Sequence, residues 1–264
     1  MNGKTTRKPF AKKSFGQNFL VDPKYIQKII DALDLTKEDT VVEIGSGRGA
    51  LTEFLVEKAA KVFAIELDRD LVPVLRDRFG PLPNFELVEA DALSLDFSIF
   101  ASNTLKPKLV ANLPYNISTA ILQHLIEHRH IFSEMVLMFQ REVVDRITAP
   151  VGTKDRGFLT LLVEDAFKAE RLFNVPGSAF RPVPAVTSSI VRLIAKDSKV
   201  ADQGLFRKVL SRGFAQKRKT LFNNFKSTIN DANQVLAAAD IDPNRRAETL
   251  TLDEWIRLTD VIAG

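Results

Sequence analysis

The sequence predicts an α/β fold: a largely parallel sheet wound with helices, followed by a small all-helical C-terminal domain. Three observations carry this. Thr40–Ile44 is a mostly apolar run that feeds Gly45-Ser46-Gly47-Arg48-Gly49 and then a helical stretch, the strand–turn–helix opening of a Rossmann-like nucleotide-binding sheet. Short apolar runs recur at Lys61–Ile65, Phe85–Val88, Leu109–Ala111 and Met135–Phe139, with helical patterns between them, as in βαβ units. Beyond a polar stretch from Lys196 to Gln203 the periodicity is helical only. The expected boundary falls there, with one domain over 1–196 and another over 197–264.

A chain of 264 residues suffices for two such domains. Hydrophobic residues make up 45% and charged residues 27%, which fits a globular chain with a sizeable core. Cysteine is absent, which excludes disulfides and thiolate zinc sites and fits a cytosolic home. No apolar run is long enough to span a membrane, and the basic Met1–Lys13 lacks the apolar segment of a secretory signal. Net charge is only +4, but the excess is uneven. Met1–Val21 holds five Lys/Arg, Lys12 and Lys13 among them, and no acid. Gln203–Asn230 holds seven, namely Arg207, Lys208, Arg212, Lys217, Arg218, Lys219 and Lys226, again with no acid. Two acid-free basic blocks favour a polyanion such as nucleic acid; the competing reading of each is a solvated helix face.

Taken in order, Lys12–Leu20 interleaves aromatics with amides, and Asp22-Pro23 reads as an N-cap and first helical residue. Ile26, Ile29, Ile30 and Leu33 continue that helix at helical spacing. The glycines after Ile44 fall as G-x-G-x-G, not as the G-x-G-x-x-G of dinucleotide binders, which argues against a pyrophosphate cradle. Glu66 follows Gly45 by 21 residues, the distance at which an acid holds ribose hydroxyls in such sheets. Asp91 stands past the third strand, where it could accept a bond from an adenine amine. Each acid alone could equally be a cap or loop residue, and Asp68 reads as one. Asn112-Leu113-Pro114-Tyr115 follows the fourth strand, and Pro114 ends the pairing there. Asn112 and Tyr115 then stand at the carboxyl edge, offering an acceptor and a flat face to a planar amine; an ordinary turn is the alternative. The informative feature is the series, in which glycine turn, two acids and Asn-Leu-Pro-Tyr fall at consecutive strand ends.

Helices are expected over Ile117–Ile126, Gln140–Thr148 and Phe158–Phe167, with a polar loop at 150–156. His124, His128 and His130 fall on or after the first of these and read as bystanders. Phe180-Arg181-Pro182-Val183-Pro184 is an extended loop leading to a strand over Ile190–Ile194. Phe180 at its start could close over a planar ligand or pack in the core. In the C-terminal region Leu205, Phe206, Val209 and Leu210 form an apolar stripe, and helices are expected over Thr220–Phe225, Ala232–Ala239 and Leu252–Ile262.

The series Phe15-Gly16-Gln17-Asn18-Phe19-Leu20, Glu43-Ile44-Gly45-Ser46-Gly47, Glu66, Asp91, Asn112-Leu113-Pro114-Tyr115 and Phe180-x-Pro182-x-Pro184 resembles the rRNA adenine N6,N6-dimethyltransferases over nearly the whole chain. Within that family the tail Arg245-Arg246-Ala247-Glu248-Thr249-Leu250 with Trp255-Ile256-Arg257-Leu258 is most similar to the KsgA type, which dimethylates two adjacent adenines in the 3′-terminal hairpin of 16S rRNA. Asp155-Arg156-Gly157-Phe158 departs from the Tyr-Gly of many relatives, which is expected to alter a loop near the site but not its chemistry. The resemblance implies a Rossmann-like S-adenosylmethionine-dependent methyltransferase sheet. It implies that Gln17, Asn18 and Leu20 cover the methionine and ribose side of the cofactor. Gly45 and Gly47 would line the turn, Glu66 with Leu67 would hold the ribose, and Asp91 with Ala92 the adenine. Asn112 would lie between cofactor and target.

On this reading Asn112, Leu113, Tyr115 and Phe180 are the catalytic set. The Asn112 side-chain oxygen and the Leu113 carbonyl would accept the two hydrogens of N6, while Tyr115 and Phe180 would stack on the base. Lys12, Lys13, Arg207, Arg212, Lys217, Arg218 and Lys219 would grip phosphates without reading sequence. The expected partner is 16S rRNA within the small ribosomal subunit, with no metal and no membrane, for a monomeric cytoplasmic chain. The alternatives are an Erm-type enzyme acting on 23S rRNA and a non-catalytic RNA-binding assembly factor on the same fold.

Overall fold

A computed structural model of the chain describes residues 17–102 and 104–264. Lys12 and Lys13 lie outside them. The elements in chain order are β1 (Phe19–Leu20), α1 (Pro23–Ala32), β2 (Thr40–Ile44), α2 (Thr52–Lys58), β3 (Lys61–Glu66), α3 (Val72–Phe79), β4 (Phe85–Glu89) and β5 (Lys108–Asn112). They continue as α4 (Ser118–Glu127), β6 (Met135–Gln140), α5 (Arg141–Ile147), α6 (Phe158–Ala166), β7 (Phe167–Val175), β8 (Phe180–Arg181) and β9 (Ser188–Ala195). Last come α7 (Gln203–Gly213), α8 (Leu221–Phe225), α9 (Ala232–Ala238) and α10 (Leu252–Ala263). No helix among the described residues is long and apolar enough to cross a membrane.

Seven strands form one sheet in the order β4-β3-β2-β5-β6-β9-β7. The pairs β4–β3, β3–β2, β2–β5 and β5–β6 are parallel. Their central residues, such as Val41, Val62, Val110 and Val136, are buried, as strands covered on both faces require. The order reverses between β2 and β5. The carboxyl ends of those two strands therefore flank the switch point, where an open α/β sheet leaves a crevice. The glycine turn and Asn112 are the residues that exit there.

Three features were not expected from the sequence. β9 runs antiparallel to β6, with Ser188 opposite Gln140. β8 pairs with β1, placing Phe180 opposite Leu20 and Arg181 opposite Phe19. β7 is a strand where no strand was expected, and the expected helix over Phe158–Phe167 stops at Ala166.

The chain divides into two compact units. The first runs to Arg141 and adds Arg171–Leu193; the second is Glu142–Glu170 with Ile194–Gly264. The division thus differs from a single cut at 196/197, because α6 and its flanks group with the C-terminal helices. In the first unit α1 opens as expected, with Asp22 Oδ1 accepting from Lys24 N at 2.9 Å and Pro23 at the first position. Its apolar face, Ile26, Ile29 and Ile30, joins Leu55, Leu75 and Val110 in the core.

In the second unit Phe206, Leu210, Leu221, Phe225, Leu236 and Trp255 are buried. Phe214 stacks on Trp255 with centroids 5.4 Å apart. Thr251 and Glu254 form a reciprocal capping box at the start of α10. Arg156 is buried there, donating to Leu250 O at 3.2 Å and Ala149 O at 3.3 Å and pairing with Glu164 at 2.7 Å. The atypical Asp155-Arg156 stretch thus anchors the loop before α10.

Candidate active site

The site is built on the exit of β2. Gly45 and Gly47 adopt φ of +72° and +60°, a region that disfavours side chains. Gly45 N donates to Ile65 O at 2.9 Å, and Gly47 N donates to Glu66 Oε2 at 2.8 Å. The other oxygen of Glu66 accepts from Leu67 N at 3.0 Å and Asp68 N at 2.9 Å. Glu66 therefore ties the glycine turn to the end of β3 while presenting its carboxylate to the space between them. Burial raises its pKa above the usual carboxylate range, against the pull of these three N–H donors. Two residues before the turn, Glu43 is wholly buried and accepts from Thr52 Oγ1 at 2.6 Å; burial pushes its pKa up to about 7.

Past β4, Asp91 Oδ1 accepts from Leu93 N at 2.9 Å, and its carbonyl accepts from Ser94 N and Leu95 N. That turn leaves Oδ2 without a hydrogen bond among the described residues. Past β5, Asn112 Nδ2 lies 3.4 Å from Asn18 O, a long contact that turns the amide nitrogen toward β1 and leaves Oδ1 for another donor. Tyr115 is half-buried, and its hydroxyl is 2.7 Å from Ser188 Oγ. Burial raises the phenol pKa, so the hydroxyl stays protonated at neutral pH.

These groups line one cavity of about 310 Å³, inside the range of roughly 300–1,000 Å³ typical of small-molecule sites. Of the expected residues it takes in Gln17 and Asn18 just before β1, Gly45 and Gly47 just after β2, and Glu66 and Leu67 at the end of β3. It also takes in Asp91, Ala92, Asn112, Leu113 and Tyr115. Leu67 is 48% exposed, an apolar side chain left open at the cavity. Leu20 lies instead against an adjoining cavity of about 400 Å³, which shares Phe19, Gly45, Gly47 and Asn112 with the first.

Phe180 is a correction. It is 1% exposed, packs in the core of the first unit and is not among the cavity's residues. Its backbone pairs with Leu20, and its ring is enclosed by the core instead of facing the cavity. Sequence reasoning missed Asp68, read as a cap. It does accept from Asp70 N at 3.0 Å, yet it is 3% exposed, lines the cavity and accepts from Gln17 Nε2 at 2.8 Å. It also missed Ile117 and Ile121, which share one face of the chain entering α4 and form an apolar wall. Their i, i+4 spacing was the available signal.

Among the expected phosphate contacts, Lys217, Arg218 and Lys219 are exposed, while Arg207 and Arg212 are half-buried. Arg207, Lys208 and Arg212 line a shallow depression on α7. Lys217 Nζ lies 3.5 Å from the carbonyls of Lys154 and Arg156, and Arg212 hydrogen-bonds Ser227. Among the described residues no cluster of three or more His, Cys, Asp or Glu could hold a metal ion.

Comparison with known proteins finds relatives over nearly the whole chain. The chain is 43% identical to "Ribosomal RNA small subunit methyltransferase A" of Aromatoleum aromaticum, over 96% of this chain and 95% of that one. It is 41% identical to the protein of the same name from Lactococcus lactis, over 95% and 90%. The crystal structure of a dimethyladenosine transferase from Plasmodium falciparum superposes with a TM-score of 0.79 at 30% identity, covering 91% of this chain and 95% of that one. The 23S rRNA methyltransferase ErmE shares the fold, with a TM-score of 0.68 at 24% identity over 94% and 100%. The model of the ribosomal RNA adenine dimethylase family matches residues 10–264. The chain is an α/β, Rossmann-like methyltransferase and belongs to the ribosomal RNA adenine dimethylase family.

Proposed function

We propose that the protein transfers methyl groups from S-adenosylmethionine to N6 of two adjacent adenines in the 3′-terminal hairpin of 16S rRNA. The observation that carries this is the convergence of Glu66, Asp91 and Asn112 on one cavity, with the Tyr115 ring beside the amide. The residues fit the cofactor. Glu66 presents a carboxylate to a ribose diol, Asp91 keeps an oxygen for an exocyclic amine, and the positive-φ glycines let the backbone approach closely. When bound, S-adenosylmethionine supplies an electrophilic methyl that carries its own leaving group.

The chain's own work is on the nucleophile. The N6 lone pair is delocalised into the purine ring. On this reading Asn112 Oδ1 and Leu113 O accept the two amine hydrogens, which draws the nitrogen toward a tetrahedral shape and stabilises the positive charge that develops on it. Tyr115 supplies the stacking face, now without Phe180. Positioning of this kind contributes about 7–11 kcal/mol in favourable cases. No general base is needed, because the methylated amine is acidic enough to lose its proton to water. The base leaves its stack to enter, which costs least in a hairpin loop. The helical unit with Arg207, Arg212, Lys217, Arg218 and Lys219 grips phosphates.

The test is incubation with labelled cofactor and either small or large ribosomal subunits. Label is expected in small subunits only; label in large subunits alone would favour the 23S rRNA reading. Asn112→Ala is expected to abolish transfer while RNA binding persists. A variant that still transfers at the original rate would overturn the acceptor role of Asn112.

A further inference from the structure

Tyr115 is held at both ends. Its phenol oxygen is 2.7 Å from Ser188 Oγ. Its carbonyl accepts from Ser118 Oγ at 3.0 Å, and Ser118 is itself buried. Ser188 is fully buried and opens β9, in register with Gln140 of β6. Arg141 N donates to the preceding carbonyl, Thr187 O, at 2.9 Å, so backbone bonds fix this end of β9 on the sheet. β6 lies between β5 and β9, and the phenol spans its end. A tyrosine on a loop would ordinarily sample several rotamers. Hydrogen-bonded at carbonyl and phenol, this one is held in a single side-chain placement. That ring is a wall of the cavity that also holds Asn112.

We propose that Ser188 is a positioning residue for methyl transfer: its hydroxyl holds the Tyr115 phenol, so that the ring stands as a preformed stacking face beside the Asn112 amide. This rests on the reading of Tyr115 as the wall against which the adenine stacks. A fixed wall spares the complex the ordering of a loop side chain when the base enters. The effect falls on the transfer step and leaves cofactor affinity alone, because Ser188 is not among the residues lining either cavity.

The experiment is single-turnover methylation of unmethylated small ribosomal subunits by the wild type, Tyr115→Phe, Ser188→Ala and the double variant, with S-adenosylmethionine affinity measured by calorimetry. Tyr115→Phe keeps the ring and removes the tether. Each single variant is expected to slow transfer about five- to tenfold, as for loss of one hydrogen bond, and the double variant to be no slower than either. Cofactor affinity is expected to stay unchanged. Losses that multiply in the double variant would overturn the proposal, as would a Ser188→Ala loss matched by equally weakened cofactor binding. Should Ser188→Ala fail to fold, Tyr115→Phe decides, and a wild-type rate there overturns the tether. Tyr115→Ala separates the two layers. If it is inactive while Tyr115→Phe is fully active, the wall stands and the tether falls. If Tyr115→Ala transfers at the wild-type rate, the wall falls and the tether with it.

Discussion

Glu43 shows what burial does to a single side chain. Its carboxyl is pushed up to about 7 inside the sheet, while in the unfolded chain it titrates near the ordinary glutamate value. The folded state therefore holds a proton that the unfolded state releases. Its contribution is fully present below about pH 4.5 and is lost as pH rises through about 7. Over that window the loss of stability totals up to about 3 kcal/mol. Chemical denaturation from pH 4.5 to 8 is expected to show Glu43→Gln with a flatter profile and a relative gain at the alkaline end; parallel profiles would refute this. Residues whose chemistry is carried by position at a strand end, such as Glu66, Asp91 and Asn112, were legible because neighbours in sequence announce the strand. Asp68 and Ser188 were not. Their meaning comes from partners 51 and 73 residues away, Gln17 and Tyr115, and nothing local encodes such a pairing. Phe180 failed for the opposite reason: an aromatic in a distinctive motif invited a ligand role, and packing claimed it.

At the scale of elements, the apolar runs that became β2, β3, β5 and β6 were readable because both faces are covered, and β4, outermost and half-exposed, was readable through Phe85, Leu87 and Val88. β7 was not, since Lys168, Glu170 and Arg171 are exposed on it. This outermost strand, wet on one side, carries no apolar run to detect. β1 and β8 are two residues each, too short for any period. Grouping of α6 with the C-terminal helices was hidden as well, because a polar linker marks flexibility and not the partner a helix packs on. Contact between α7 and α10 makes its own prediction. A Cβ added to Gly213 would run into the Trp255 ring. Gly213→Ala is expected to cost about 1–3 kcal/mol of stability through overpacking, read as a lowered melting temperature. Gly45→Ala acts differently. Space exists around it, with Asn112 O at 3.7 Å, but the φ of +72° does not suit alanine. It is expected to weaken S-adenosylmethionine binding in calorimetry by distorting the turn under the ligand, where Gly152→Ala, at an open loop, would not.

For the whole molecule, charge is the property that the sequence displayed most openly. A net charge of +4 hides blocks that carry no acid at all. If these blocks neutralise phosphates, binding of a 16S rRNA hairpin should fall steeply with salt, and each lysine removed from Lys217 and Lys219 should lower the logarithmic slope by about 0.7–0.9. An unchanged slope in the double alanine variant would remove them from the interface. The pairing of β1 with β8 also has a bearing on how the protein comes into being. Leu20 meets Phe180, 160 positions further along the chain. At about 5–20 residues per second, ribosomes take on the order of ten seconds or more to travel that far. During that interval Glu66, Asp91 and Asn112 are added one after another, while the early strand still has no mate. The strand that follows Gln17 and Asn18 thus gains its partner only after every other residue lining the cavity has been made.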